Sequence, residues 1–136
     1  MPRAAMPVEV ELQRAVHEVL TGASIGADVY DIAPQASDGG ATGPYVTIGR
    51  TVTTMEPVDE VQSFSVVMRI HTFSRTGSML ECRTIQGAIY DALHNSHLVM
   101  TGFECWSILR EMSDVMSEQD GRIHGVCEYR ALIQTQ

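Results

Sequence analysis

The sequence predicts an α+β fold, a single antiparallel sheet with two helices packed on one face, and three observations carry that expectation. Residues 8–21 and 79–94 repeat apolar side chains at helical spacing, while several other segments alternate apolar and polar residues with the period of a strand. The strand segments mostly follow one another through short turns, an order that pairs neighbours antiparallel. The 136 residues, 44% apolar and 19% charged, fill one compact domain and leave no room for a second of ordinary size.

The first helix follows Pro7, a residue tolerated at a helix start because its missing N–H has no partner there. Val8, Leu12, Val16, Val19 and Leu20 form its apolar stripe, and Thr21-Gly22 is the expected stop, with glycine in the left-handed conformation. Val29 to Ile32 reads as a short strand ended by Pro34, and residues 34–43 as a Gly-rich loop. Pro44 opens a strand in which Val46, Ile48 and Val52 are expected on one face. Glu56 to Glu60 reads as an acidic turn, and both it and segment 35–43 have few apolar anchors, so both are expected to be mobile in an isolated subunit. Phe64, Val66, Met68 and Ile70 then alternate with Ser65, Val67, Arg69 and His71.

Arg75 to Ser78 breaks that strand and offers Ser78 as the cap of the second helix, which His94-Asn95-Ser96 closes. A short extended stretch, Leu98 to Met100, leads into a strand over residues 103–113, the least regular of the set. Ser117 to Gly121 reads as a polar turn. In the last strand Ile123, Cys127, Tyr129, Ala131 and Ile133 face one way, opposite Arg122, His124, Glu128 and Arg130.

Charge narrows the function. Nine basic residues, all Arg, stand against 17 acidic ones, a net charge of −8. A chain that grips DNA normally carries a basic stripe to displace counterions from phosphates, and this one has the opposite balance. The absence of Lys excludes a Walker site, and no GxSxG elbow occurs. His94 and His97 lack a nearby carboxylate and read as solvated turn residues. No catalytic residue, cofactor or metal is expected. The cysteines Cys82, Cys105 and Cys127 are odd in number and widely spaced, which fits buried free thiols better than disulfides or zinc knuckles. With a hairpin tip near residue 117, Cys105 would oppose Arg130 and Cys127 would oppose Ile108, too far apart to bridge. Met79, Met112 and Met116 lie near expected surface segments. No apolar run approaches the ~20 residues of a bilayer span, and Glu9 and Glu11 come too early for a secretory segment, so an intracellular protein without a membrane partner is expected.

Five pieces, in this order and spacing, resemble a known family: Val29-Tyr30-Asp31-Ile32-Ala33-Pro34-Gln35, Pro44-Tyr45-Val46-Thr47-Ile48-Gly49, His71-Thr72-Phe73-Ser74-Arg75, Ile89-Tyr90-Asp91-Ala92-Leu93, and a closing strand from His124 to Leu132. The chain, from about residue 8 to 134, is similar to the small tail-completion family of tailed phages, prophages and gene transfer agents. That family includes tail terminators and tail-to-head joining proteins. The resemblance implies a non-catalytic structural protein that forms a hexameric ring at the head-proximal end of the tail tube. It would be made in the host cytoplasm and end in the tail or neck of the particle. Its partners would be further copies of itself, the tail tube protein and the head connector or stopper, with DNA passing through without specific binding. On that reading Glu56, Asp59, Glu60, Asp114, Glu118 and Asp120 are candidate lumen or ring-contact residues in turns, and Arg69, Arg110 and Arg130 candidate inter-subunit residues. The alternative is a small ligand-binding module or enzyme on the same scaffold, using His71, Glu128 and Arg130.

Overall fold

A computed structural model describes residues 7–30, 43–57, 61–74, 79–118 and 121–136. Helix α1 spans Val8–Gly22, and the Pro7 carbonyl accepts the N–H groups of Val10 and Glu11 at 3.1 and 3.2 Å. Gly22 does not stop it by turning left-handed. Ala23 is still right-handed at φ −99, and the left-handed residue is Ser24 at φ 53. Val8, Leu12, Ala15, Val16 and Leu20 are buried beneath the helix. Glu11 is buried with them because its carboxylate is satisfied: the Thr101 N–H donates to it at 2.8 Å and the Arg14 guanidinium at 3.1 Å. These bonds hold the carboxyl below its ordinary range and tie α1 to the segment before the fourth strand.

The strands are β1 (Asp28–Tyr30), β2 (Tyr45–Pro57), β3 (Gln62–Ser74), β4 (Phe103–Ser117) and β5 (Ile123–Thr135), in the spatial order β1-β2-β3-β5-β4. The α+β expectation with a mostly antiparallel sheet holds, and β1 is the exception, running parallel to β2. Fourteen residues separate Tyr30 from Tyr45, so the rule for short turns does not govern that pair, and a parallel crossover of a dozen or more residues fits. Asp31, Ile32, the Gly-rich residues 35–42, and Asp59, Glu60, Ser78 and Asp120 lie outside the described residues.

The inner face carries the core: Val46 and Ile48 from β2, Val66, Met68 and Ile70 from β3, Cys127, Tyr129, Ala131 and Ile133 from β5, and Phe103, Cys105 and Ile108 from β4. Helix α2 (Met79–Leu93) lies over it through Cys82, Ile85, Gln86, Ile89 and Leu93. Asn95, at φ 58, turns the chain away after α2, and the Ser96 N–H closes on the Leu93 carbonyl at 3.0 Å. Leu98 to Met100 forms one bridge, Val99 with Glu104, instead of a strand.

Three sequence-based expectations shift with the register. A bulge between Ile48 and Thr51 adds a residue to β2, so Val52 faces away from Val46 and Ile48 and is 48% exposed. Glu56 and Asp114 belong to β2 and β4, not to turns, because a sheet buried on one side tolerates polar residues along its other side to the hairpin end. The β4–β5 tip is at Glu118–Arg122, where the Glu118 N–H donates to the Arg122 carbonyl at 2.9 Å and Gly121 takes φ 83. With two bulges in β4, Cys105 pairs with Ile133 and Cys127 with Ser113, instead of Arg130 and Ile108. The three thiols are free and buried, and burial pushes those of Cys82 and Cys105 up to about 11.

Two glycines give opposite predictions. A Cβ on Gly125 would stand 2.5 Å from Gln86 Nε2 and 2.6 Å from Cys82 Sγ, so Gly125→Ala should destabilise by about 1–3 kcal/mol through overpacking. Gly87, in α2 with open space around it, should respond to Gly87→Ala with a gain of about 0.5–1 kcal/mol. Urea unfolding of the two variants checks both signs.

Candidate functional site on the open sheet face

Both helices pack against the inner face, so the outer face of the sheet is covered by no described element. Its side chains follow from register. Thr47, His71 and Val126 are neighbours across β2, β3 and β5, as are Arg69 and Glu128, and Val67 and Arg130. Among them stand large apolar side chains: Trp106 at 66% exposure, with Val52, Leu109, Leu132 and Met116 each about half exposed. An apolar surface of this extent, interleaved with charges, is typical of a contact with another macromolecule.

The charged residues here are largely matched within the chain. Arg69 Nε donates to Glu128 Oε1 at 2.8 Å, and Arg130 donates to Glu111 Oε2 at 2.9 Å and to Ser65 Oγ at 2.8 Å. Arg50 lines a shallow depression of about 220 Å³ with Val52, Val67, Arg69 and Glu128. Arg110 stands apart from Arg69 and Arg130. It lies on the helix side, its guanidinium 4.4 Å over the Tyr90 ring, and its N–H donates to His94 Nδ1 at 3.0 Å. His94 is thus a half-buried acceptor stacked on Tyr90, in contrast to the expected solvated turn residue, while His97 is exposed.

At one end of this face, aromatic rings run across the strands. Tyr30 meets Tyr45 edge-on at 6.0 Å, Tyr45 stacks on Phe73 at 4.8 Å, and Phe73 stacks on His124 at 4.5 Å. His71 Nδ1 and His124 Nε2 are 2.9 Å apart, and the Glu118 carboxylate is 3.6 Å from His124 Nδ1. The carboxylate favours a proton on His124 Nδ1, which leaves Nε2 to accept from His71 Nδ1. Burial lowers both histidine pKa values from 6.5; the His124 and Arg69 charges lower that of His71 further, and Arg122 opposes Glu118 at His124.

His71, Glu128 and Arg130 therefore do not converge on a common point. Among the described residues each is engaged with a different neighbour along the face: His71 with His124, Glu128 with Arg69, and Arg130 with Glu111 and Ser65. Among the described residues no group of three or more His, Cys, Asp or Glu could hold a metal ion. The described acidic candidates split between the sheet ends: Glu56 sits with Ser63, Gln134 and Glu104, and Asp114 and Glu118 with the other end. Along β3 the level of Glu56, at Ser63, and that of Asp114, at His71, are eight residues apart, about 26 Å.

Residues 12–134 match the family model described as tail completion protein gp17, a span that runs from the second turn of α1 through α2 and almost to the end of β5. The chain belongs to this family. The resemblance drawn from the sequence pieces is borne out. The fold is also similar to that of a chain in the virion of a native gene transfer agent particle: TM-score 0.84 and 18% identity, over 96% of this chain and 99% of that one. None of the curated proteins compared matches the chain in sequence. Sequence reading missed Trp106, Leu109 and Leu132 as surface residues of this family member. The signal was there for Leu132, which falls on the outward side of the alternation that includes Arg130.

The histidine pair gives a pH prediction. Native protein holds both rings neutral, and the unfolded chain takes up their protons as the pH falls below 6.5, so their contribution is full above 6.5 and is lost as the pH falls toward the lowered native values. Urea midpoints should drop between pH 7.5 and pH 5, and a His71→Gln, His124→Gln double variant should lose much of that dependence.

Proposed function

We propose that this chain is a structural component of a phage-like tail, without catalytic activity, that closes into a ring at the head-proximal end of the tail tube. The match to the tail completion family over residues 12–134 carries this reading. The uncovered outer face supports it, since a sheet with apolar side chains exposed on one side is completed by another surface. Six copies are the expected closure, with neighbours related head to tail. The ring would end tube growth and present a surface to the head connector or stopper; the same subunit serves a terminator or a joining protein. Production in the host cytoplasm precedes its place in the tail or neck of the particle.

In the ring, Trp106, Leu109 and Leu132 would lie against a neighbouring ring or subunit, with the Arg69–Glu128 and Arg130–Glu111 pairs setting register. Six copies would carry about −48, and such a wall holds DNA weakly while letting it pass. Glu56 borders one end of the sheet, and Asp114 and Glu118 lie toward the other. At least one of these groups would face the channel.

Imaging of purified particles tests the reading. Density for a six-membered ring between tube and connector is expected, and absence of the protein from intact particles would overturn it. A Trp106→Glu, Leu132→Glu double variant should unfold within about 0.5 kcal/mol of the parent, since both positions are exposed, yet should fail to enter particles.

A further inference from the structure

The two edges of the sheet are built differently. On β4 the chain blunts its own edge. Val99 bridges to Glu104, the Asn95 N–H donates to the Ile108 carbonyl at 2.7 Å, and the Arg110 N–H donates to His94 Nδ1 at 3.0 Å. Beyond them a second bulge interrupts β4 at Arg110–Met112, and Gln86 Nε2 donates to the Asp114 carbonyl at 3.0 Å. Bulges and a covering loop are the usual ways of making an edge unfit for pairing. On β2, the neighbour β1 pairs only with Tyr45, Val46 and Thr47. Among the described residues, no backbone hydrogen bond from any other element reaches β2 beyond Thr47 on that side.

The open stretch has natural limits. The bulge after Ile48 bounds it at one end, and Pro57, which has no N–H, at the other. The run between, Arg50-Thr51-Val52-Thr53-Thr54-Met55-Glu56, is rich in β-branched residues and is centred on Thr53. An antiparallel pairing of this run with itself, using all seven residues, therefore sets Thr53 against Thr53. The same register sets Arg50 opposite Glu56, Val52 opposite Thr54, and Thr51 opposite Met55.

Facing residues must share a side of the sheet, and they do. Arg50, Val52, Thr54 and Glu56 belong to the outer face, where Val52, Thr54 and Glu56 oppose Val67, Ser65 and Ser63 and Arg50 lines the depression beside Arg69. Thr51, Thr53 and Met55 belong to the inner face, opposite Met68, Val66 and Phe64. Arg50 and Glu56 are both exposed, and no ion pair within the described residues uses either. Opposite charges directly across a strand pair are favourable, and the two-fold makes each unlike pair occur twice, while the Thr53 hydroxyl keeps its bond to Glu9 Oε2 at 2.6 Å. Met55, 60% exposed, would gain a methyl contact from Thr51.

We propose that the β2 edge from Arg50 to Glu56 is a self-complementary docking strand, which pairs antiparallel with the same strand of a second copy. The product is a two-fold dimer with one continuous ten-stranded sheet. This contact is distinct from the head-to-tail contact that closes a ring, and it does not rest on the ring reading. It describes the free chain and is given up when a subunit takes another partner on that edge.

Charge reversal reads the register directly. The full-length protein should be dimeric by sedimentation velocity and native mass spectrometry at concentrations on the order of 1 mM or below. Arg50→Glu places Glu against Glu56 twice, and Glu56→Arg places Arg against Arg50 twice. Each should weaken the dimer at least about tenfold, with far-ultraviolet circular dichroism and urea midpoint showing an intact fold. An equimolar mixture of the two single variants should recover association as a heterodimer, and Arg50→Glu, Glu56→Arg in one chain should recover the homodimer. A parent protein that stays monomeric at ~1 mM overturns the proposal. So does an Arg50→Glu variant that dimerises as tightly as the parent, or a mixture that does not associate.

Discussion

The architecture depends on a mismatch of lengths. Each helix has 15 residues and is about 22 Å long, while strands of 13–15 residues reach about 43–50 Å. Two such helices cannot cover a sheet of this size even on one side. The core is accordingly concentrated where α1 and α2 lie, from Val46 and Ile70 to Ala131 and Ile108, and the far ends of the two long hairpins extend past it. What remains outside helix cover is held by ladder hydrogen bonds and by pairs between neighbouring strands, such as Arg69–Glu128 and Arg130–Glu111. These are exposed pairs, whose worth lies more in alignment than in stability.

Coverage of one face also explains why the polar contacts of the inner side are so local. Glu11 is acceptable in the core because Arg14 and Thr101 meet it on the spot, and Gln86 because its amide reaches the Asp114 carbonyl. Gly125 makes room for that amide and for the Cys82 thiol, so a single missing side chain in β5 lets α2 approach the sheet closely. The outer face has no such demands. It accommodates histidines, aromatics and arginines along the strands because no described element packs on them.

Much of this was legible in the sequence, since apolar period reflects burial and burial is one-sided here. Both helices, the strand order along the chain and the inward residues of β3 and β5 follow from it. The misses share a cause. Bulges after Ile48 and in β4 add single residues that no period reveals, and one residue is enough to turn Val52 outward or move the partner of Cys127 to Ser113. Hairpin length is hidden in the pattern because polar residues such as Asp114 face solvent within the strand and do not end it. On β4 the outward Trp106 and Leu109 escape notice for a related reason, since the bulges there break the alternation that marks Leu132 on β5. The parallel placement of β1 is a matter of chain crossover, which three residues cannot encode.

The blunted β4 edge has a consequence for what the chain can become when it misassembles. Fibrils grow because each added molecule offers, on its far side, the same template it has just used. A sheet whose second edge is bulged and bonded to its own turn offers no such template. Extension along the strand-stacking direction then terminates after one addition, whatever the concentration. A few hydrogen bonds around His94 and Asn95 thereby work against open-ended stacking in a protein with long, β-branched, partly apolar strands.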